Sequence, residues 1–143
     1  MTKFNLSRYL IYLAIGALGC GPALAADPTG LWQTPVRGGQ VEITKCGSNL
    51  CGRLMTSDGL KANPALKDEN NVNAALRGRA IQGLTILTGF AGGPKDWHGG
   101  SIYNAEDGKT YSGSLTLEND NTLKLSGCVM SVLCKTQTWT RLR

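Results

Sequence analysis

Thr110-Tyr-Ser-Gly-Ser-Leu-Thr-Leu-Glu118, followed by Thr122-Leu-Lys-Leu-Ser-Gly-Cys-Val129, is the stretch that decides the fold class. Apolar residues or glycines stand at 111, 113, 115 and 117, and again at 123, 125, 127 and 129. Polar residues fill most of the gaps. A period of two marks a strand with one buried face. Asn119-Asp120-Asn121 supplies the turn. A three-residue loop sets Leu117 opposite Leu123 and Leu115 opposite Leu125, so the two buried faces agree.

Working outward, the same pattern predicts eight strands, over 30–34, 40–46, 51–56, 81–88, 99–103, 109–117, 122–128 and 134–142. Ala105-Glu-Asp-Gly108 is a strong turn between the fifth and sixth. The inward face of 81–88 stays undetermined, because Ile86 and Leu87 are adjacent. Residues 57–80 hold Pro64, several asparagines and a weak helical pattern around 73–77. A connection of that length is usually functional or mobile. No internal repeat and no low-complexity segment is visible. Eight sequential antiparallel strands close as an up-and-down barrel. Closure sends the loops 35–39, 57–80, 104–108 and 129–133 to one end. The tip at 47–50 and both chain ends go to the other.

The first residues read as an address. Lys3 and Arg8 lead an apolar run, 9–19, that is too short to span a bilayer comfortably. Ala23-Leu24-Ala25 puts small residues at both cleavage subsites, which predicts a secretory signal over 1–25 cut after Ala25. The alternatives are an uncleaved anchor and lipid attachment at Cys20, where Ala17-Leu18-Gly19-Cys20 loosely matches a lipobox. No other stretch could cross a membrane. The mature chain, 26–143, suits a single domain in the periplasm or medium. Its net charge falls from +5 to +3 because Lys3 and Arg8 leave. The basic residues are scattered without interleaved aromatics, so nucleic-acid binding has little support.

Of five cysteines, Cys46, Cys51, Cys128 and Cys134 remain. An even number in an exported chain implies disulfides, with three possible connectivities. Each local pair flanks a hairpin tip. A turn at Ser48-Asn49 sets Cys46 opposite Cys51 and Ile43 opposite Leu54. A loop over 129–133 sets Cys128 opposite Cys134 and Leu125 opposite Gln137. Opposed positions lie at a distance a disulfide bridges, which favours Cys46–Cys51 and Cys128–Cys134. The spacing and the single histidine speak against zinc, and no metal or cofactor is implied.

Gly30-x-Trp32 with a late Arg141 is similar to the closing signature of the lipocalin superfamily. A wider set covers nearly all of the mature chain. It comprises Asp27-Pro-Thr-Gly-Leu-Trp32, Cys46-x4-Cys51-Gly52, Ala75-Leu-Arg77, Gly83-Leu-Thr-Ile-Leu87, Trp97-x-Gly-Gly-x-Ile-Tyr103, Asp107-Gly-Lys-Thr-Tyr111 and Thr136-Gln-Thr-Trp-Thr-Arg141. Together these resemble the bacterial exported "domain of unknown function 2147" family. The resemblance implies a small lipocalin-like barrel. It implies no activity, so no catalytic residue carries over. Gly30, Trp32 and Arg141 are then expected to close the barrel floor, with the arginine over the tryptophan.

The residues offer no catalytic constellation. A Ser-His-Asp or Cys-His site would need His98, the single histidine, which reads as a turn residue in Trp97-His-Gly-Gly100. Glu106-Asp107-Gly108 reads as turn chemistry. Ala91-Gly-Gly-Pro94 lacks the lysine and serine of a phosphate loop. Arg77 and Arg79 in the long connection could face an anionic ligand, and water is the favoured reading. The reading is therefore not an enzyme. By parity Ile43, Leu54, Ile102, Tyr111, Leu115, Leu117, Leu123, Leu125, Gln137 and Trp139 point inward. Tyr111 and Gln137 are the polar exceptions, and Lys135 shares their face near the rim. Ile102, Tyr111, Leu115, Leu125, Lys135 and Gln137 are thus the candidate site for a small amphipathic or hydrophobic ligand, apolar tail inside and polar head at the mouth. The alternative is a non-enzymatic interaction module of the envelope, an inhibitor or assembly factor, working through its loops.

Overall fold

Eight strands close into one antiparallel barrel: β1 (Gly30–Gln33), β2 (Gln40–Cys46), β3 (Asn49–Thr56), β4 (Thr85–Gly92), β5 (Asp96–Asn104), β6 (Lys109–Asn119), β7 (Thr122–Val129) and β8 (Leu133–Arg141). Each strand pairs with the next, and β8 returns to β1. The computed structural model describes residues 16, 19–21 and 26–143. The cleavage pattern Ala23-Leu24-Ala25 and most of the signal expected over 1–25 lie outside the described residues. Cys20 carries an exposed free thiol. Among the described residues no helix is long and apolar enough to cross a membrane.

The β6–β7 hairpin pairs Leu117 with Leu123 and Leu115 with Leu125, and β7–β8 pairs Leu125 with Gln137 and Cys128 with Cys134. Both registers follow from the alternation in the sequence. The other hairpins differ from expectation for identifiable reasons. In β2–β3 the turn is Gly47-Ser48, with Cys46 opposite Asn49 and Ile43 opposite Gly52. Gly47 takes the left-handed turn conformation (φ 63°), which moves the register by two residues and keeps every side chain on its face. The Cys46–Cys51 disulfide still closes, across the hairpin's diagonal, over a Cα spacing of 5.8 Å. The second disulfide joins Cys128 to Cys134. Two such bridges are consistent with a chain that matures outside a reducing cytosol.

The strand expected over 81–88 starts later and ends later, as β4. Ile81 is buried beneath the long connection, its N–H bonded to Leu66 O at 3.0 Å, so it belongs to a loop core instead of a strand. Leu87 and Phe90, three residues apart, both face inward because the β3–β4 register shifts between Leu50 and Gly52. That irregularity is why alternation could not assign the face. β5 begins at Asp96, so His98 lies within a strand and not in a turn.

Among the described residues twelve buried apolar side chains form the core, including Trp32, Phe90, Trp97 and Trp139. Glycines on the inner wall make room for the large ones. A Cβ at Gly52 would run into Leu87, one at Gly100 into the Phe90 ring, and one at Gly113 into Ile102. Small residues facing large ones fill a barrel of this size.

At the floor the Arg141 guanidinium stacks on Trp32, 4.3 Å from the ring centre. It donates to Thr29 O and Asp27 O at 2.6 Å each and to Asp120 O. Trp32 Nε1 donates to Pro28 O at 2.9 Å. Gly30 (φ 130°) passes so close to Arg143 O that a Cβ would overlap it, which explains glycine two places before the tryptophan.

The opposite end carries the long connection, residues 57–84. Ser57 caps a short helix, α1 (Asp58–Ala62), and Asn73 caps a single 3-10 turn. Asp58 N–H bonds to Arg37 O in the β1–β2 loop at 2.9 Å. Asn70 Nδ2 reaches Glu106 O in the β5–β6 turn at 3.1 Å. Arg37 and Glu106 pair directly at 3.2 Å. The connection is therefore a strap laid between opposite sides of the mouth.

Candidate functional site

The inner wall of β5–β8 carries the six candidate residues on neighbouring strands. Ile102 pairs with Tyr111, Leu115 with Leu125, Leu125 with Gln137, and Gly127 with Lys135. They differ sharply in depth. Leu115 is sealed and Leu125 is 6% exposed. Ile102, Tyr111 and Gln137, nearer the mouth, are half-buried, and Lys135 is exposed. Water thus reaches the inward face of these strands on one side of the mouth, above a floor of Ile102 and Leu125. Gly113 and Gly127 leave that wall without side chains, and Ile102 Cδ1 lies over both.

Each polar group here has a defined state. Gln137 Oε1 accepts from Trp139 Nε1 at 3.0 Å, which leaves the amide nitrogen as the group's donor. Tyr111 OH donates to the Asp107 carboxylate. That hydrogen bond and the neighbouring negative charge raise the phenol above its usual 10.0. Burial works against ionised Asp107, but the bonds from Tyr111 and the Lys109 N–H outweigh it and hold the carboxyl below 3.8. Lys135 has no ion-pair partner among the described residues.

The same face continues past the rim. Val129 and Leu133 pair at the end of the β7–β8 ladder, on the parity of Gly127 and Lys135. They are 44% and 72% exposed, and between them Met130 and Val132 stand at 86% and 79%. An apolar lip therefore extends this face beyond the rim, clamped at its base by Cys128–Cys134. Val129 and Leu133 were absent from the sequence-based site. Counting the parity two residues on from Gly127 and two back from Lys135 would have found them.

A buried polar cluster pins the strap. Asp68 is fully buried. It accepts from Tyr103 OH at 2.5 Å, Asn71 Nδ2 at 2.9 Å and Arg79 Nε at 2.8 Å. Burial opposes its charge, yet the three donors and the Arg79 cation win and keep the carboxyl below 3.8. Tyr103 is pushed above 10.0 by burial and by the Asp68 acceptor. The Arg79 guanidinium also lies 5.1 Å from the Tyr103 ring centre. The expectation of water is corrected for Arg79, which is half-buried and holds Asp68; Arg77 is exposed as expected, its Nε also donating to Asn71 O at 2.8 Å. No local pattern could have revealed a pairing of residues 35 positions apart.

Concavities are found elsewhere among the described residues. One, about 360 Å³, lies at the floor between Ala26, Pro28, Lys45, Leu50, Gly93 and Trp97. Another, about 240 Å³, is a shallow dip that includes His98, Ser112, Ser114 and Ser131. No side-chain hydrogen bond of His98 is found among the described residues. Nor does any group of three metal-ligating side chains occur among them.

Residues 30–141 match the family described as "Uncharacterized protein conserved in bacteria (DUF2147)". No curated protein matches the chain. A solved structure similar to it is protein HP1028 from Helicobacter pylori, described as belonging to the lipocalin family. The two share 26% identity and a TM-score of 0.74, over 82% of this chain and 84% of that one.

Proposed function

The chain belongs to the DUF2147 family of bacterial proteins, and we propose that it binds a small amphipathic molecule at the mouth of its lipocalin-like barrel. One observation carries the reading: inward-facing residues of β5–β8 stay open to water near the rim and are sealed one step deeper. The apolar part of the ligand rests on Ile102, Leu125, Val129 and Leu133. Covering about 100 Å² of apolar surface there contributes ~2.5 kcal/mol. The head group meets the Lys135 ammonium and the Gln137 amide, which favours a carboxylate or phosphate. Tyr111 is held by Asp107 and offers its phenol oxygen as an acceptor. The protein acts outside the cytoplasm after cleavage behind Ala25, a setting the two disulfides support.

The test compares decanoate with decanol by calorimetry. Lys135→Ala should weaken decanoate about tenfold, or ~1.4 kcal/mol, and leave decanol unchanged. Equal losses, or no binding of either, count against the reading. Mass spectrometry of the exported protein checks both the N-terminus at Ala26 and any small molecule it carries.

The second reading, a protein-interaction module, draws support from the apolar lip at Met130 and Val132.

A further inference from the structure

β8 is paired along its whole length on one side only. β7 holds it without a break from Leu133 to Thr140. On the other side β1 meets it at two positions, Trp32↔Arg141 and Gln33↔Thr140. The sequence supplies the reason. Continuing that register would put Pro35 opposite Thr138. Proline has no N–H to give the ladder, and its ring restricts the residue before it. The chain instead turns away, with Thr34 N–H bonded to Gly39 O at 2.8 Å.

The direction of the free groups follows from alternation. Arg141 N–H bonds to Asn121 O on the β7 side at 3.0 Å, and Leu142 N–H bonds to Leu31 O on the β1 side at 2.7 Å. Even-numbered residues of β8 therefore aim N–H and C=O away from β7. The 4.0 Å Cα spacing of Cys128 and Cys134 agrees, being the narrow pair that exchanges no ladder bond. Cys134, Thr136 and Thr138 thus present backbone donors and acceptors that no described residue meets from that side.

Exposed edges are commonly blunted by charge, proline or a bulge. This one is not. Its ladder with β7 is unbroken, its outer face carries Thr136 and Thr138, and a disulfide fixes its end. Its one charged side chain before Arg141, Lys135, lies on the inward face with no ion-pair partner among the described residues.

We propose that the β8 edge over residues 134–138 takes an extended acidic segment of a partner protein as an added strand. Backbone bonds to Cys134, Thr136 and Thr138 hold the segment. A carboxylate facing inward beside Lys135 selects it, because opposite charges on neighbouring strands attract. The mild net charge of +3 expected once residues 1–25 are removed favours the approach of an acidic partner. This surface shares Lys135 with the proposed small-molecule site, but its backbone donors and acceptors at Cys134, Thr136 and Thr138 do not rest on that reading.

The probe is a synthetic eight-residue peptide of alternating valine and threonine with one central glutamate, titrated onto the purified protein. Binding should slow amide exchange at Thr136 and Thr138. N-methylating alternate peptide nitrogens in the register that faces β8 should weaken it at least tenfold. Thr136→Pro removes one outward N–H and spares the β7 ladder, so it should weaken binding by a similar factor. Lys135→Glu should weaken this peptide at least tenfold and strengthen its lysine counterpart. The proposal fails if the peptide does not bind, or binds equally well when N-methylated, a result that needs no variant to fold. It also fails if ultracentrifugation shows a dimer that Thr136→Pro abolishes, since the edge then takes a second copy, or if the edge binds only lipid vesicles.

Discussion

At Arg141 one guanidinium meets three backbone carbonyls and the face of Trp32. The carbonyls come from Asp27, Thr29 and Asp120, so a single side chain ties the entry to β1, the β6–β7 turn and the end of β8. Planarity matters. A guanidinium offers five donors in a fixed fork and stacks flat on an indole, and an ammonium does neither. Arg141→Ala should lower stability by about 2 kcal/mol through lost cation–π attraction and stranded carbonyls. Arg141→Lys should recover less than half of that. Chemical denaturation reads both, and unchanged midpoints would remove the closing role from this residue.

The strap, residues 57–84, is the element whose behaviour the sequence hid most. Its anchor is ionised Asp68, and the sign of its pH dependence is fixed. The folded carboxyl titrates below the unfolded value of 3.8. Its contribution is therefore complete above 3.8 and drains away as pH falls through the lower folded value. In acid the strap should open before the barrel melts, exposing the amides of Asp68 and Ile81, which bond to Arg79 O and Leu66 O. Asp68→Asn should show the same fast exchange at neutral pH and lose the acid response. An acid response that survives in Asp68→Asn would assign it elsewhere, to Asp27 or Asp107, whose carboxyls are also held low. The barrel itself was legible because Leu115, Leu117, Leu123 and Leu125 alternate without interruption and their register follows from one turn. The same parity set Tyr111, Gln137 and Lys135 on one wall. It failed where the period breaks: at Leu87 and Phe90, around the bulge at Trp97–Gly100, and at the glycine turn after Cys46. The Asp68–Tyr103 bond was illegible for another reason, since loop residues pair according to where the barrel puts them.

Across the whole molecule the two ends of the barrel are built differently, and the β1–β8 seam records the difference. At the floor it is closed by Gln33↔Thr140, Trp32↔Arg141 and the Arg141 bonds. Toward the mouth β1 has gone and β8 stands alone above Thr140. Hydrogen exchange should write this geometry along one strand. Lys135 and Gln137, whose N–H groups face β7, should be protected. Thr136 and Thr138, facing the open seam, should exchange close to the rate of an unstructured peptide. Protection should return at Thr140, where Gln33 pairs with it. An odd-even alternation ending at Thr140, where pairing with Gln33 of β1 takes over, has no other source in this fold. General fraying of β8 would leave Lys135 and Gln137 as unprotected as their neighbours. Uniform protection would mean that something covers the edge in solution. Repeating the exchange at lower protein concentration then separates the causes: a second copy dissociates and the alternation emerges, whereas a covering segment of the same chain leaves protection unchanged.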